Sequence, residues 1–467
     1  MFQLINSILH QFRDCFKRGK TWRWFVVLVL GFMLRGNHRG VTSSVSSMRL
    51  KPGLYHTILH FFRSEAYTTK ELYSKWMEIA IKNEGIERVS GRVVLLGDHS
   101  NESKEGLHMP GVQILHQDSQ NSGKPEFIAG HRYAHISAVL TQDGVSRSLP
   151  LRTQLQESPP KEDKQNKESL VAQMVTLADQ VARAMGEPSI IALDAYFCSG
   201  VALDAADGTA MDTGGTRRVE IVTRAKTTTV AYTAPDIPKI KKRGQPRKYG
   251  DKIALFSLFS GMKNFKETTM VLYGKKTRVR YLCIDLIWRP VKRLIRFVLV
   301  ESNRGRCILM SSSLTLTPED IISIYALRFK IETSFAEQKH DMGCFAYHFW
   351  TSAMPKRKKR KRAEEPTDDK LKQRVVKARN AADAFVCLST IATGILTLLA
   401  FYHSQEIWSR YSGWLRTRRS VIPTIATTKS AFSQDFHDSL PLVARLPSFA
   451  FIPHLIRQAQ FLYLEAA

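Results

Sequence analysis

Tyr325, Arg328, Glu332 and Lys339 lie in one polar-apolar stretch, Ile321 to Lys339. At about 100° per residue they fall within an arc of roughly 60° on one face of a helix. A carboxylate flanked by a guanidinium, an ammonium and a phenol suits a site that holds a divalent metal and a phosphodiester together. The competing reading is a solvated face laced with salt bridges. Against it, Ile324, Leu327, Ile331 and Phe335 form an adjoining apolar face that would seat the helix on a core. Thr317-Pro318-Glu319-Asp320 supplies an N-cap, a proline at the first helical position and early acidic residues.

Two aspartates upstream occupy positions that a metal site would need. Asp98 follows the apolar run Val93 to Gly97, and Asp194 follows Ile190 to Leu193. Each reads as a short buried strand with a carboxylate emerging at its C-terminal end. Asp in such a place is also a common turn or cap residue. Asp118, Asp285 and Glu337 rank below them, because they follow a polar run, interrupt a strand, or lie off the stripe.

Asp98, Asp194 and Glu332, with Tyr325-x-x-Arg328-x-x-x-Glu332 and Lys339 seven residues on, resemble the DDE transposases of bacterial insertion sequences that carry the Tyr-Arg-Glu-Lys signature. The resemblance runs from about Val89 to Ala400. It implies a ribonuclease-H-like catalytic domain and a site in which Asp98, Asp194 and Glu332 bind two Mg²⁺ ions, with Mn²⁺ able to substitute. It further implies strand cleavage at element ends and transfer into target DNA, with Tyr325, Arg328 and Lys339 on the phosphate. The implied partners are double-stranded DNA, as terminal inverted repeats and as target, and a second copy of the chain on DNA. Two alternatives stay open: a ribonuclease-H-type nuclease that only hydrolyses, and an inactive DNA-binding descendant of a transposase.

The elements that must position these residues follow from the patterning. The expected fold class is α/β, a mixed-sheet ribonuclease-H-like domain interrupted by a β-rich insertion. Phe127 to Leu140 and Val145 to Arg152 read as strands joined by the hairpin signal Gln142-Asp143-Gly144. Leu170, Met174, Leu177, Val181 and Ala184 have helical spacing, and the Asp194 strand comes next. Between 201 and 313 the β-branched runs 219–224, 227–232, 277–288 and 295–301 predict a strand-rich subdomain. The expected divisions are 1–88, a helical DNA-binding domain; 89–200 and 314–404, the two parts of the catalytic domain; 201–313, the insertion; and 405–467, a helical region suited to dimerisation.

Several basic features have two readings each. Lys241, Lys242, Arg243, Arg247 and Lys248 lie in a Gly/Pro-broken loop that is either a solvated linker or a DNA-gripping arm. Arg357, Lys358, Lys359 and Arg360 belong to the block Lys356 to Arg362, readable as a nuclear signal or as a clamp beside the catalytic helix. Trp288 near a strand end is either a core indole or, as the resemblance suggests, a stacking platform for an extruded base. The short N-terminal helices suit a helix-turn-helix-like reader or a protein-binding domain.

A net charge of +27 favours a polyanionic partner. Six cysteines without a C-x-x-C pair indicate neither a zinc site nor a disulfide framework. There is no P-loop and no G-x-S-x-G. Val386 to Tyr402 is apolar but short for a membrane span, so a buried helix is expected. The expected location is the bacterial cytoplasm, with the nucleoid.

Overall fold

A computed structural model of the chain describes residues 1–36, 40–117, 125–157, 168–210, 217–235, 247–358, 365–415 and 420–457. The N-terminal part forms helices α1 (Phe2–Gln11), α2 (Gly19–Leu34), α3 (Gly40–Ser47), α4 (Leu54–Phe62) and α5 (Thr69–Ile81). Thr68 caps α5 by accepting from Glu71 N. Strands β1 (Arg88–Val89), β2 (Arg92–Ser103), β3 (Gln113–His116), β4 (Phe127–Gln142) and β5 (Val145–Gln156) follow, and then α6 (Leu170–Met185), β6 (Ser189–Ala192), α7 (Gly200–Asp207) and β7 (Val219–Ala225). The β4–β5 turn has Asp143 and Gly144 at φ 51° and 73°, the left-handed pair that a tight hairpin requires.

The central strands pair in the order β4-β2-β6-β7, with β5 and β3 on the outer edge of β4. β2 is antiparallel to β4 but parallel to β6, and β6 is parallel to β7. This mixed sheet, crossed by α6, is compatible with a ribonuclease-H-like domain. The sheet continues without a break into antiparallel strands β8 (Val230–Tyr232), β9 (Lys252–Ala254), β10 (Lys266–Leu272), β11 (Lys275–Trp288), β12 (Arg293–Ser302) and β13 (Gly305–Ser311), with β13 pairing onto β7. Val219–Ala225, grouped on sequence with the insertion, is thus the parallel neighbour of β6. Its β-branched pattern looks the same in either setting, and only the pairing distinguishes them.

Helices α8 (Pro318–Leu327), α9 (Lys330–Ala336), α10 (Asp369–Tyr402), α11 (Ser404–Arg410), α12 (Ile425–Asp438) and α13 (Leu440–Val443) complete the chain. Strand alternation divides the sheet's two faces. Val93 and Leu95 join one large core with α2, α5, α6, α10 and α12, whereas Val94, Leu96, Ile190 and Ala192 join a second core with α8 and α9. The N-terminal helices therefore bury their apolar faces in the same core as α10. Among the described residues α10 is the one helix long and apolar enough to cross a membrane, and its apolar stretch is wholly enclosed by protein.

Candidate active site

The last parallel pair between β2 and β6 is Leu96 with Ala192. Two residues on in each chain stand Asp98 and Asp194, which by the same alternation belong to the face covered by α8 and α9. Asp194 lies just past its strand, as expected. β2, in contrast, runs on to Ser103, because β4 keeps pairing with it after β6 has ended, and Asp98 sits opposite His135. Each aspartate uses one oxygen locally: His99 N donates to Asp98 Oδ1 (2.7 Å), and Tyr196 N donates to Asp194 Oδ1 (3.0 Å). Asp194 therefore is a cap as well as a candidate ligand.

Glu332 comes from α9. The N-cap expected at Thr317 is present, with Pro318 in the first turn of α8, and Asp320 completes it into a capping box. The single helix predicted over 321–339 is instead divided. At Arg328 and Phe329 the backbone tightens, with Ile331 N bonding Arg328 O and Glu332 N bonding Phe329 O, and after α9 the chain widens into a π turn over Glu337–Asp341. The shared stripe is accordingly broken up. Lys339, carried by the π turn, pairs with Glu102 of β2 at 3.0 Å. Arg328 stays at the centre: Nη1 lies 3.5 Å from Asp98 Oδ2, and Nη2 donates to Glu332 Oε1 at 3.1 Å.

Electrostatics tie the group together. Burial pushes the Asp98 carboxyl up to about 7, the negative charges of Asp194 and Glu332 add to the rise, and the His99 amide and Arg328 oppose it. Burial pulls Arg328 down, but Tyr325, Asp98, Glu332 and Asp194 together hold it above its ordinary value. Tyr325 is raised by burial, with Arg328 and Arg224 opposing. Asp98, Asp194, Glu332, Arg328 and Tyr325 thus share one electrostatic neighbourhood.

Hard carboxylate oxygens are the donors that Mg²⁺ takes, and Asp194 and Glu332 add negative charge around the buried Asp98 carboxyl. The donor chemistry fits a divalent cation. The arrangement does not close a cage, however: among the described residues no three His, Cys, Asp or Glu side chains stand close enough together to hold a metal ion. The Arg328 guanidinium lies between Asp98 and Glu332, where such a cage would close.

His135 is a supporting residue without a sequence signal of its own. Fully buried, it bonds Thr153 Oγ1 (2.8 Å) on β5 and Ser334 Oγ (3.1 Å) on α9, fastening the Glu332 helix above the Asp98 strand. A polar residue in register opposite Asp98 is the clue that would have found it.

The other sequence candidates lie elsewhere. Trp288 is 7% exposed within the core, so it offers no open face for a base, and its role in this structure is packing. Arg247 and Lys248 are exposed ahead of β9, Lys358 is exposed, and Arg357 is fixed through its backbone N–H to Leu107 O. Lys241, Lys242, Arg243, Lys359 and Arg360 fall outside the described residues, as does Asp118. Asp285 pairs with Arg296, and Glu337 with Arg147.

The family described as DDE superfamily endonuclease matches residues 11–274. The match includes both aspartates and stops before α8 and α9, so Glu332 rests on the geometry described above. No curated protein matches the chain.

Proposed function

Because the chain belongs to the DDE superfamily endonuclease family, we propose that it is a transposase of the insertion-sequence type, cutting DNA at element ends and joining the freed ends to target DNA. The observation that carries this reading is the pair Asp98 and Asp194, each two residues beyond the last parallel pair of β2 and β6, with Arg328 linking Asp98 to Glu332.

Asp98, Asp194 and Glu332 would hold Mg²⁺, with Mn²⁺ able to substitute. A bound divalent cation supplies the charge that lets a water or a 3′-hydroxyl ionise near neutral pH and that neutralises the leaving oxygen. Arg328 has a second partner to hand. Its planar fork, now shared between two carboxylates, matches the paired oxygens of a phosphodiester. Transfer of the guanidinium to the scissile phosphate would release Asp98 and Glu332 together. Tyr325, beside Arg328, would orient that phosphate, and Lys339 would add a point charge once freed from Glu102.

The helical region 1–88 would read terminal repeats, and the basic residues at 241–248 and 356–362 would grip backbone phosphates. Region 405–467 would join two copies on DNA. The test uses labelled duplex carrying the element's end and an unlabelled target plasmid, with Mg²⁺ or Mn²⁺. Nicking followed by label in the target supports the proposal, and nicking alone reduces it to a hydrolytic nuclease. Undiminished nicking by Asp98→Asn, Asp194→Asn and Glu332→Gln would remove the site.

A further inference from the structure

Trp350 is 61% exposed, yet the backbone around it is pinned. Thr351 N donates to His108 O (3.2 Å), Arg357 N donates to Leu107 O (2.8 Å), and the His108 ring bonds Met354 O through Nδ1 (2.7 Å). On its other side Phe349 is buried against Phe62, Tyr347 and Phe385. An indole left uncovered on a fixed strap is a platform rather than a frayed loop.

The platform lines a cavity of about 580 Å³, within the range of ligand-binding clefts. Tyr55, His348, Arg63, Arg374 and Lys377 line it too, so its walls carry three cations, of which Lys377 pairs with Glu65 at 3.4 Å. Arg374 is steadied by Ser352 Oγ at 3.1 Å. The walls come from α3, α4, the strap and the start of α10, so the cleft joins the N-terminal helices to the segment leading into the basic block at 356.

We propose that this cleft binds an unpaired DNA base, stacked on the Trp350 indole, with Arg63, Arg374 and Lys377 on the neighbouring phosphates. The inference rests on DNA being the substrate, as proposed above. In a duplex both faces of a base are already stacked; only an unpaired base has a face to offer. The cations supply the part of the binding that follows the backbone and ignores sequence.

The test is binding by the full chain, in EDTA and at one salt concentration, followed by fluorescence anisotropy. Three labelled duplexes differ only at one end: blunt, with a three-thymidine overhang, or with a three-residue abasic overhang. The thymidine overhang is expected to bind about tenfold tighter than the abasic one. Trp350→Ala should erase that ratio while leaving blunt-duplex affinity unchanged, and Trp350→Phe should keep most of it. Equal melting temperatures of wild type and variants establish that the fold is intact. A wild-type ratio of one, or an unchanged ratio in Trp350→Ala, overturns the cleft and leaves it a surface for a protein partner. Absence of binding to any probe overturns both the cleft and the DNA reading, whereas metal-dependent nicking by wild type with no overhang preference sinks the cleft alone.

Discussion

Arg328 Nη1 lies 3.5 Å from Asp98 Oδ2, and the other arm of the same guanidinium holds Glu332 at 3.1 Å. One planar cation thus spans a strand carboxylate and a helix carboxylate, which a lysine ammonium, a single point charge, cannot do in the same geometry. Arg328→Lys is expected to lower the nicking rate nearly as far as Arg328→Gln, by about 10²–10³-fold, the size seen when one preorganised charge-stabilising donor is lost. Single-turnover cleavage of a labelled duplex measures this. A Lys variant within a few-fold of wild type would show that charge alone, without the fork, is enough.

The crowding around Asp98 has a consequence for stability. Its carboxyl is held up to about 7 in the fold, against an ordinary value near 3.8. The folded state therefore keeps the proton longer than the unfolded chain, and the stability this gives below pH 3.8 is lost as pH rises through 7. Asp98→Asn, which never ionises, should melt higher than wild type at pH 8, by on the order of 2–4 kcal/mol in stability, while losing cleavage. Mg²⁺ should raise the wild-type melting temperature at pH 8 and should do so much less for Asp98→Asn or Asp194→Asn. A wild-type melt indifferent to Mg²⁺ and Mn²⁺ would argue against these carboxylates as cation ligands.

Asp98 and Asp194 were legible in the sequence because each follows a short apolar strand, and parallel pairing in register brings equal offsets together. Thr317 to Asp320 announced α8 through capping chemistry, and Asp143-Gly144 announced the β4–β5 turn. The break at Arg328 had no such marker, since Ala326 to Lys330 contains neither Gly nor Pro. Contacts distant in sequence accompany it: His135 holds Ser334, and Gln338 bonds Thr153 Oγ1 at 3.3 Å. Lys339 leaves the single stripe for the same reason, because an arc computed at 100° per residue does not survive a tightened turn and a π turn. Trp288 and Trp350 look alike in sequence, and only burial separates the packed indole from the open one.

Two buried histidines give the fold an acid limit. His131 accepts from the Tyr347 hydroxyl and donates through Nε2 to Pro110 O (2.8 Å), while His135 joins β5 to α9. Burial holds His131 down to about 4 and His135 to about 3. Both are neutral in the fold, and unfolding exposes sites that protonate near 6.5. Their stabilisation is complete above about pH 6.5 and falls as pH drops toward 4 and 3, by about 2 kcal/mol each at pH 5. Urea denaturation at pH 7.5 and pH 5 should show this loss, and His135→Gln should flatten part of it. An identical pH slope in the variant would show that His135 is not the group taking up the proton.

Gly394 tests how the N-terminal helices are tied to the sheet. It lies on α10 against Trp76 of α5, and a methyl group there would clash with Trp76 Cζ2. The indole has little room to yield, being fully buried with Nε1 donating to Pro150 O on β5 (2.8 Å). Gly394→Ala should therefore destabilise by about 1–3 kcal/mol through overpacking, although alanine is the better helix former. Trp76→Phe, which clears the space but gives up the Pro150 bond, should cost stability alone and yet make the added Gly394→Ala change cheaper, a coupling expected only for residues in contact. Urea midpoints for the four members of this cycle measure it, and strictly additive shifts would mean that α10 moves away from α5 instead of pressing on it.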